Sequence, residues 1–139
     1  MARLVVVDAR CIVDVLFNGQ RALDVLDEIY GKALAAPAHV DRDVLATLAR
    51  LNPSDVPEAD TRMRVEVYLR IPMKRFDIAP LMLEAWDRRG DLCVNDALYA
   101  ALADQLEVPL VTRSRAMAAA CSRAILVQAT SGWGGAEGR

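Results

Sequence analysis

Three aspartates give this chain its clearest route to chemistry. Asp8 directly follows the run Leu4-Val5-Val6-Val7, while Asp43 and Asp96 each fall in or near the first turn of a predicted helix. Carboxylates are hard oxygen donors, and several converging on one point would hold a divalent cation. Helix N-termini at that point would ease the crowding, because free N–H groups and positive dipole ends would face the acids. Taken singly, each has a plainer reading. An Asp after a strand serves as a turn residue; Asp96 beside Asn95 serves as a helix cap; Asp43 near Asp41 serves as a solvated first-turn acid.

Other chemistries lack their parts. His39 is the single histidine, so no Ser-His-Asp triad, His-rich metal site or H-E-x-x-H motif can be assembled. It reads as a loop or helix-start residue rather than a proton donor. Cys11, Cys93 and Cys121 show neither C-x-x-C nor zinc-ligand spacing and read as buried, reduced thiols acting as small hydrophobes. No strand is followed by G-x-G-x-x-G or G-x-x-x-x-G-K-[ST], so a nucleotide phosphate would lack its glycine cradle. A net charge of −2 disfavours wholesale coating of nucleic acid, yet local basic patches remain possible. Arg10, Arg42, Arg113 and Arg115 cluster near the acids and Ser114; they are either solvated surface charge or contacts to phosphate that position a nucleic acid without reading it.

The acids need elements to bring them together, and the chain supplies an alternating series. With 139 residues, 54% of them apolar, one core in one domain is expected: residues 1–131, with a Gly-rich tail over 132–139 that Trp133 could pin. Leu4 to Val7 is a continuous β-branched run, the pattern of a strand buried on both faces. A helix carrying Ile12, Val13, Leu16 and Phe17 ends near Asn18-Gly19. A second, from Gln20 to Tyr30, sets Leu23, Leu26 and Tyr30 on one face and is closed by Gly31. Ala33 to Ala36 is a weak strand. Val40, Val44, Leu48 and Leu51 predict a helix that Asn52-Pro53 stops. Ser54 is the expected N-cap of the next helix, which carries Met63, Val67 and Tyr68. An extended piece spans Arg75 to Ile78, and a helix runs from Pro80 through Trp86. Asn95 to Leu106 has an apolar stripe of Ala97, Leu98, Ala101, Leu102 and Leu106. A buried strand from Pro109 to Thr112, an Ala-rich helix from Ser114 to Cys121 and a last strand from Ala124 to Val127 complete the series.

Strands alternating with helices imply an α/β three-layer sandwich: a central parallel sheet of about four to five strands, helices on both faces, right-handed crossovers. In such sheets function sits at the carboxyl ends of the strands, near the point where strand order reverses. Asp8 and Ser114 both follow strands at that edge. No apolar run approaches the ~20 residues that span a bilayer, and no signal-peptide core is present, so a cytoplasmic protein is expected.

A resemblance weighs in favour of joint action. Val5-Val6-Val7-Asp8-Ala9 resembles the opening of PIN-domain proteins, where a Val-rich strand ends in the first metal-binding Asp. Val94-Asn95-Asp96-Ala97-Leu98-Tyr99-Ala100-Ala101-Leu102-Ala103 resembles that family's Asp-Ala-x-Tyr-x-Ala-Leu-Ala helix closely. Pro109-Leu110-Val111-Thr112 follows at the family's distance, and Asp41-Arg42-Asp43-Val44-Leu45 corresponds to the helix bearing its second acid. The similarity covers roughly Leu4 to Val127, and the branch it approaches is the VapC-type toxin ribonucleases of toxin–antitoxin pairs.

The resemblance implies a PIN-like fold and metal-dependent endonucleolytic cleavage of RNA, with Mg²⁺ or Mn²⁺ held by Asp8, Asp96 and Asp43. Thr112 and Ser114 would support the site. It further implies a homodimer restrained by a VapB-like antitoxin, with the helices from Gln20 to Tyr30 and Ser54 to Ile71 as candidate interfaces. Two departures stand out. The family usually has Glu where this chain has Asp43, a loss of up to roughly 1.5 Å of reach. Its fourth acid usually falls in Thr-x-Asp, where this chain reads Thr112-Arg113-Ser114. Weaker metal binding is therefore expected, and the alternative is a catalytically weakened relative that acts by binding a partner protein or RNA.

Overall fold

The structure is a computed structural model that describes residues 3–51 and 54–128. Its strands are β1 (Leu4–Val7), β2 (Ala33–Pro37), β3 (Lys74–Phe76), β4 (Leu110–Thr112) and β5 (Ala124–Leu126). They form one sheet in the order β3-β2-β1-β4-β5, and every neighbouring pair is parallel. Val6 pairs with Ala35 on one side and Leu110 on the other. Val5, Val6 and Val7 are all buried, which is why this strand is β-branched without interruption rather than alternating with polar residues.

Between the strands lie α1 (Ala9–Leu16), α2 (Gln20–Ile29), α3 (Val40–Ala49), α4 (Glu58–Leu69), α5 (Met82–Asp87), α6 (Val94–Leu106) and α7 (Arg115–Ala120), with a 3₁₀ turn at Ala79–Leu81. Helices flank the sheet: α6 lies against β1 and β2 with α5 packed on it, while α1 packs on α2 and α3. This is the expected parallel α/β sandwich with five strands. From β1 the chain moves outward to β2 and β3; β4 and β5 occupy the other side. Strand order therefore reverses between β1 and β4, and their carboxyl ends define the crevice.

Four details differ from expectation, each for a physical reason. Helix α4 begins after Pro57, whose extended backbone (ψ 146°) makes it the N-cap; a proline locked at φ near −65° suits the edge of a helix, so Ser54 lies upstream in a turn. In α2 the residues turned inward are Ala22 and Val25, leaving Leu23 60% and Tyr30 88% exposed. The small side chains admit the close approach to α1, and the bulky ones remain outside. Helix α6 is buried continuously from Ala97 to Ala103, because the sheet covers one side and α5 another; its apolar surface is a cylinder, not a stripe. Cys93 is exposed, whereas Cys11 and Cys121 are buried. The Asn52-Pro53 helix stop, Trp133 and the tail over 132–139 lie outside the described residues. Among the described residues no helix is long and apolar enough to cross a membrane.

Candidate active site

Asp8 is the N-cap of α1. Its backbone is extended (φ −80°, ψ 163°), and Oδ1 accepts the Cys11 amide at 2.9 Å. The other oxygen accepts the hydroxyl of Thr112, the last residue of β4. Thr112 Oγ1 in turn accepts the Ser114 amide at 2.9 Å. Asp8 and Thr112 are both buried, so β1 and β4 are tied at the reversal of strand order by a charge-assisted hydrogen bond.

Asp43 sits in the first turn of α3 and is buried. Its Oδ2 accepts Asn95 Nδ2 at 2.8 Å and the Tyr99 phenol at 2.8 Å, and His39 Nε2 lies 3.3 Å from the same oxygen. His39 is the residue before α3, and its ring packs edge-on against Tyr99 with centroids 5.0 Å apart. Burial first, and then the Asp43 charge, push the Tyr99 phenol far above its ordinary range. Tyr99 therefore stays protonated and remains a donor to Asp43. Asp96, in the first turn of α6, is half-buried and faces Arg10 Nη2 at 3.4 Å from its Oδ2.

These acids share one concavity of about 370 Å³, lined by Asp8, Arg10, Arg42, Asp43, Asp96 and Tyr99 among others. Arg50 and Thr47, for which no role was expected, also line it, as does Cys93, expected to be a buried thiol. Arg50 stands seven positions after Asp43, two turns along the same face of α3, which is the one signal that could have found it.

Other anticipated residues lie elsewhere. Arg113 is drawn to Asp14 of α1, with Nη1 3.0 Å from Oδ2. Ser114 caps α7, its Oγ accepting the Met117 amide at 3.1 Å, and Arg115 begins that helix. Thr112, Arg113, Ser114 and Arg115 are not among the residues lining the concavity; Thr112 reaches it through Asp8.

Among the described residues no group of three or more His, Cys, Asp or Glu side chains is arranged to hold a metal ion. Asp43 turns one oxygen toward Tyr99 and Asn95, and Asp96 faces Arg10. The donor set nevertheless fits a hard cation in kind. All its charged oxygens are carboxylate, and Mg²⁺ takes one or two carboxylates while keeping several waters.

Fold and pocket together define a class: an all-parallel α/β sandwich with acids at the reversal of strand order. No family model matches the chain. Individual proteins do. The chain is 34% identical over 118 residues to ribonuclease VapC3 of Mycobacterium tuberculosis, covering 84% of this chain and 86% of that one. It is 32% identical over 110 residues to a VapC ribonuclease of Mycobacterium bovis, covering 78% and 84%. Among solved structures, PAE2754 from Pyrobaculum aerophilum superposes with a TM-score of 0.66 at 24% identity, covering 91% of each chain. VapBC2 from Rickettsia felis, bound to a DNA fragment from its promoter, gives 0.64 at 14% identity, covering 88% of this chain and 96% of that one. These structural likenesses speak to the fold alone. The chain belongs to the PIN-domain family, in its VapC-type toxin branch. Membership of that family supports a toxin role of the VapC type.

Proposed function

We propose that the chain is a Mg²⁺- or Mn²⁺-dependent endoribonuclease, the toxin of a toxin–antitoxin pair. The observation that carries this reading is the shared concavity: acids from three distant segments line it together with Arg10, Arg42 and Arg50. When bound, the cation would supply Lewis acidity toward a phosphoryl oxygen and make water a better nucleophile. Asp8 and Asp96 would hold it. Asp43 would orient the attacking water and accept its proton, since its Oδ1 is the oxygen away from Tyr99 and Asn95. The arginines would bind the phosphodiester backbone without reading sequence. Arg42 is 80% exposed, with Nη1 3.9 Å from Asp43 Oδ1. Arg10, now 3.4 Å from Asp96, would be one of these phosphate contacts.

A second reading is favoured by the absence, among the described residues, of a ready group of three metal-holding side chains, and by Ser114 acting as a helix cap. On that reading the chain binds a partner protein or RNA without cutting it. Cleavage of RNA by the purified chain separates the two. Metal-dependent cleavage that EDTA stops, and that Asp8→Asn and Asp96→Asn each reduce at least a hundredfold, supports the nuclease. Activity indifferent to EDTA and to both substitutions excludes this site. A large gain in Ser114→Asp would show that the natural chain is a weakened enzyme.

A further inference from the structure

The pocket treats the two oxygens of Asp43 differently. Oδ2 takes hydrogen bonds from Asn95 Nδ2 and the Tyr99 phenol, both at 2.8 Å. Oδ1 meets Arg42 Nη1 at 3.9 Å, beyond hydrogen-bond reach. A carboxylate on a single methylene has a broad, roughly two-fold torsional preference, so an unrestrained Asp43 would offer either oxygen over a wide arc. Two donors converging on one oxygen stop that rotation.

The donors are themselves held. Tyr99 is 1% exposed and lies one turn after Asp96 on α6, so the helix that brings Asp96 to the pocket also fixes the orientation of Asp43. His39 backs the phenol. Its Nε2 lies 3.3 Å from the same Asp43 Oδ2 without completing a hydrogen bond, and its Nδ1 is buried without a partner. The ring lies edge-on to Tyr99, so the imidazole fills the space beside the phenol.

We propose that Tyr99 is a positioning residue: its phenol, together with the Asn95 amide, pins Asp43 Oδ2 so that Oδ1 alone is presented to the pocket. This rests on the nuclease reading, which gives the presented oxygen its use. Loss of a supporting partner of this kind typically lowers metal affinity or activity roughly 10- to 100-fold.

The test is a double-mutant cycle on the full chain, with Mn²⁺ titrated calorimetrically and RNA cleavage resolved into kcat and KM. Tyr99→Phe is expected to weaken Mn²⁺ binding about tenfold or more and to lower kcat with KM within about twofold. In an Asp43→Ala background the same substitution should change neither. Asn95→Ala, at an exposed position, should repeat the pattern if Tyr99→Phe proves poorly folded. Wild-type Mn²⁺ affinity and kcat in both single variants, or an equal loss with and without Asp43, would overturn the positioning role. A parent chain that neither binds Mn²⁺ nor cuts RNA would instead overturn the nuclease reading, and the positioning role with it.

Discussion

Thr112 is a small residue with a large local burden. Its hydroxyl donates to buried Asp8 and accepts the Ser114 amide. Thr112→Val keeps the shape and removes both bonds, leaving a buried carboxylate oxygen without its donor. That costs about 1–3 kcal/mol, and urea unfolding at neutral pH should show it, with Thr112→Ser losing much less. A second residue-scale expectation concerns Asp14. Burial pushes its carboxyl up, and Arg113 only partly offsets this. A carboxyl whose folded pKa exceeds its unfolded value of ~3.9 contributes stability that is full below that value and is lost as pH rises through the folded one. Asp14→Asn should therefore gain on the parent chain as unfolding is measured from pH 4 toward pH 7; a gap that stays constant would contradict it. The acids themselves were legible in the sequence because each follows a strand or opens a helix. Their partners were less so: the family resemblance marked Thr112 as a supporting residue but gave Tyr99 no role. No local pattern encodes hydrogen bonds that reach from Tyr99 to Asp43 across 56 positions or from Thr112 to Asp8 across 104.

Helix α6 ends by a route that invites improvement. Glu107 adopts φ 57°, ψ 48°, and the Val108 amide bonds back to the Ala103 carbonyl at 3.0 Å. This is the arrangement in which glycine usually occupies the left-handed position. A side chain there costs about 1–2 kcal/mol, part of which Glu107→Gly gives back by tolerating positive φ while losing chain entropy on folding. The variant should unfold at higher temperature; a lower melting point would show that the Glu107 side chain makes a contact worth more than the strain. At this scale the sequence was most readable where one signal dominated. The β-branched run of β1 and the apolar run of β4 both fell where expected. It was less readable where two signals competed. Ser54 is a good cap, but Pro57 three residues on sets the helix start. In α2 the large apolar residues suggested the inward face, while close packing on α1 selected Ala22 and Val25.

Across the whole molecule, apolar side chains left outside mark where association would occur. Between α3 and α4 a groove of about 470 Å³ is lined by Leu45, Val65 and Leu69, with Leu45 and Leu69 exposed. If an antitoxin segment covers it, as the proposed role implies, Leu69→Glu should weaken antitoxin binding at least tenfold in a calorimetric titration. The RNA cleavage rate of the free toxin should be unchanged. Equal affinity in the variant would place the antitoxin elsewhere. The parallel sandwich was legible from the alternation of elements, and so was the edge at which to look. The pairing of Arg10 with Asp96, by contrast, depends on how α1 and α6 meet around the reversal of strand order, a relation no single segment carries.

The central claim is that Asp8 and Asp96 take a divalent cation together. Anomalous diffraction from crystals grown with Mn²⁺ addresses it directly. One strong peak is expected in the pocket, within roughly 2.5 Å of a carboxylate oxygen of each residue, with the Arg10 guanidinium withdrawn from Asp96. A pocket without a peak at saturating Mn²⁺, with Arg10 still seated on Asp96, would contradict it.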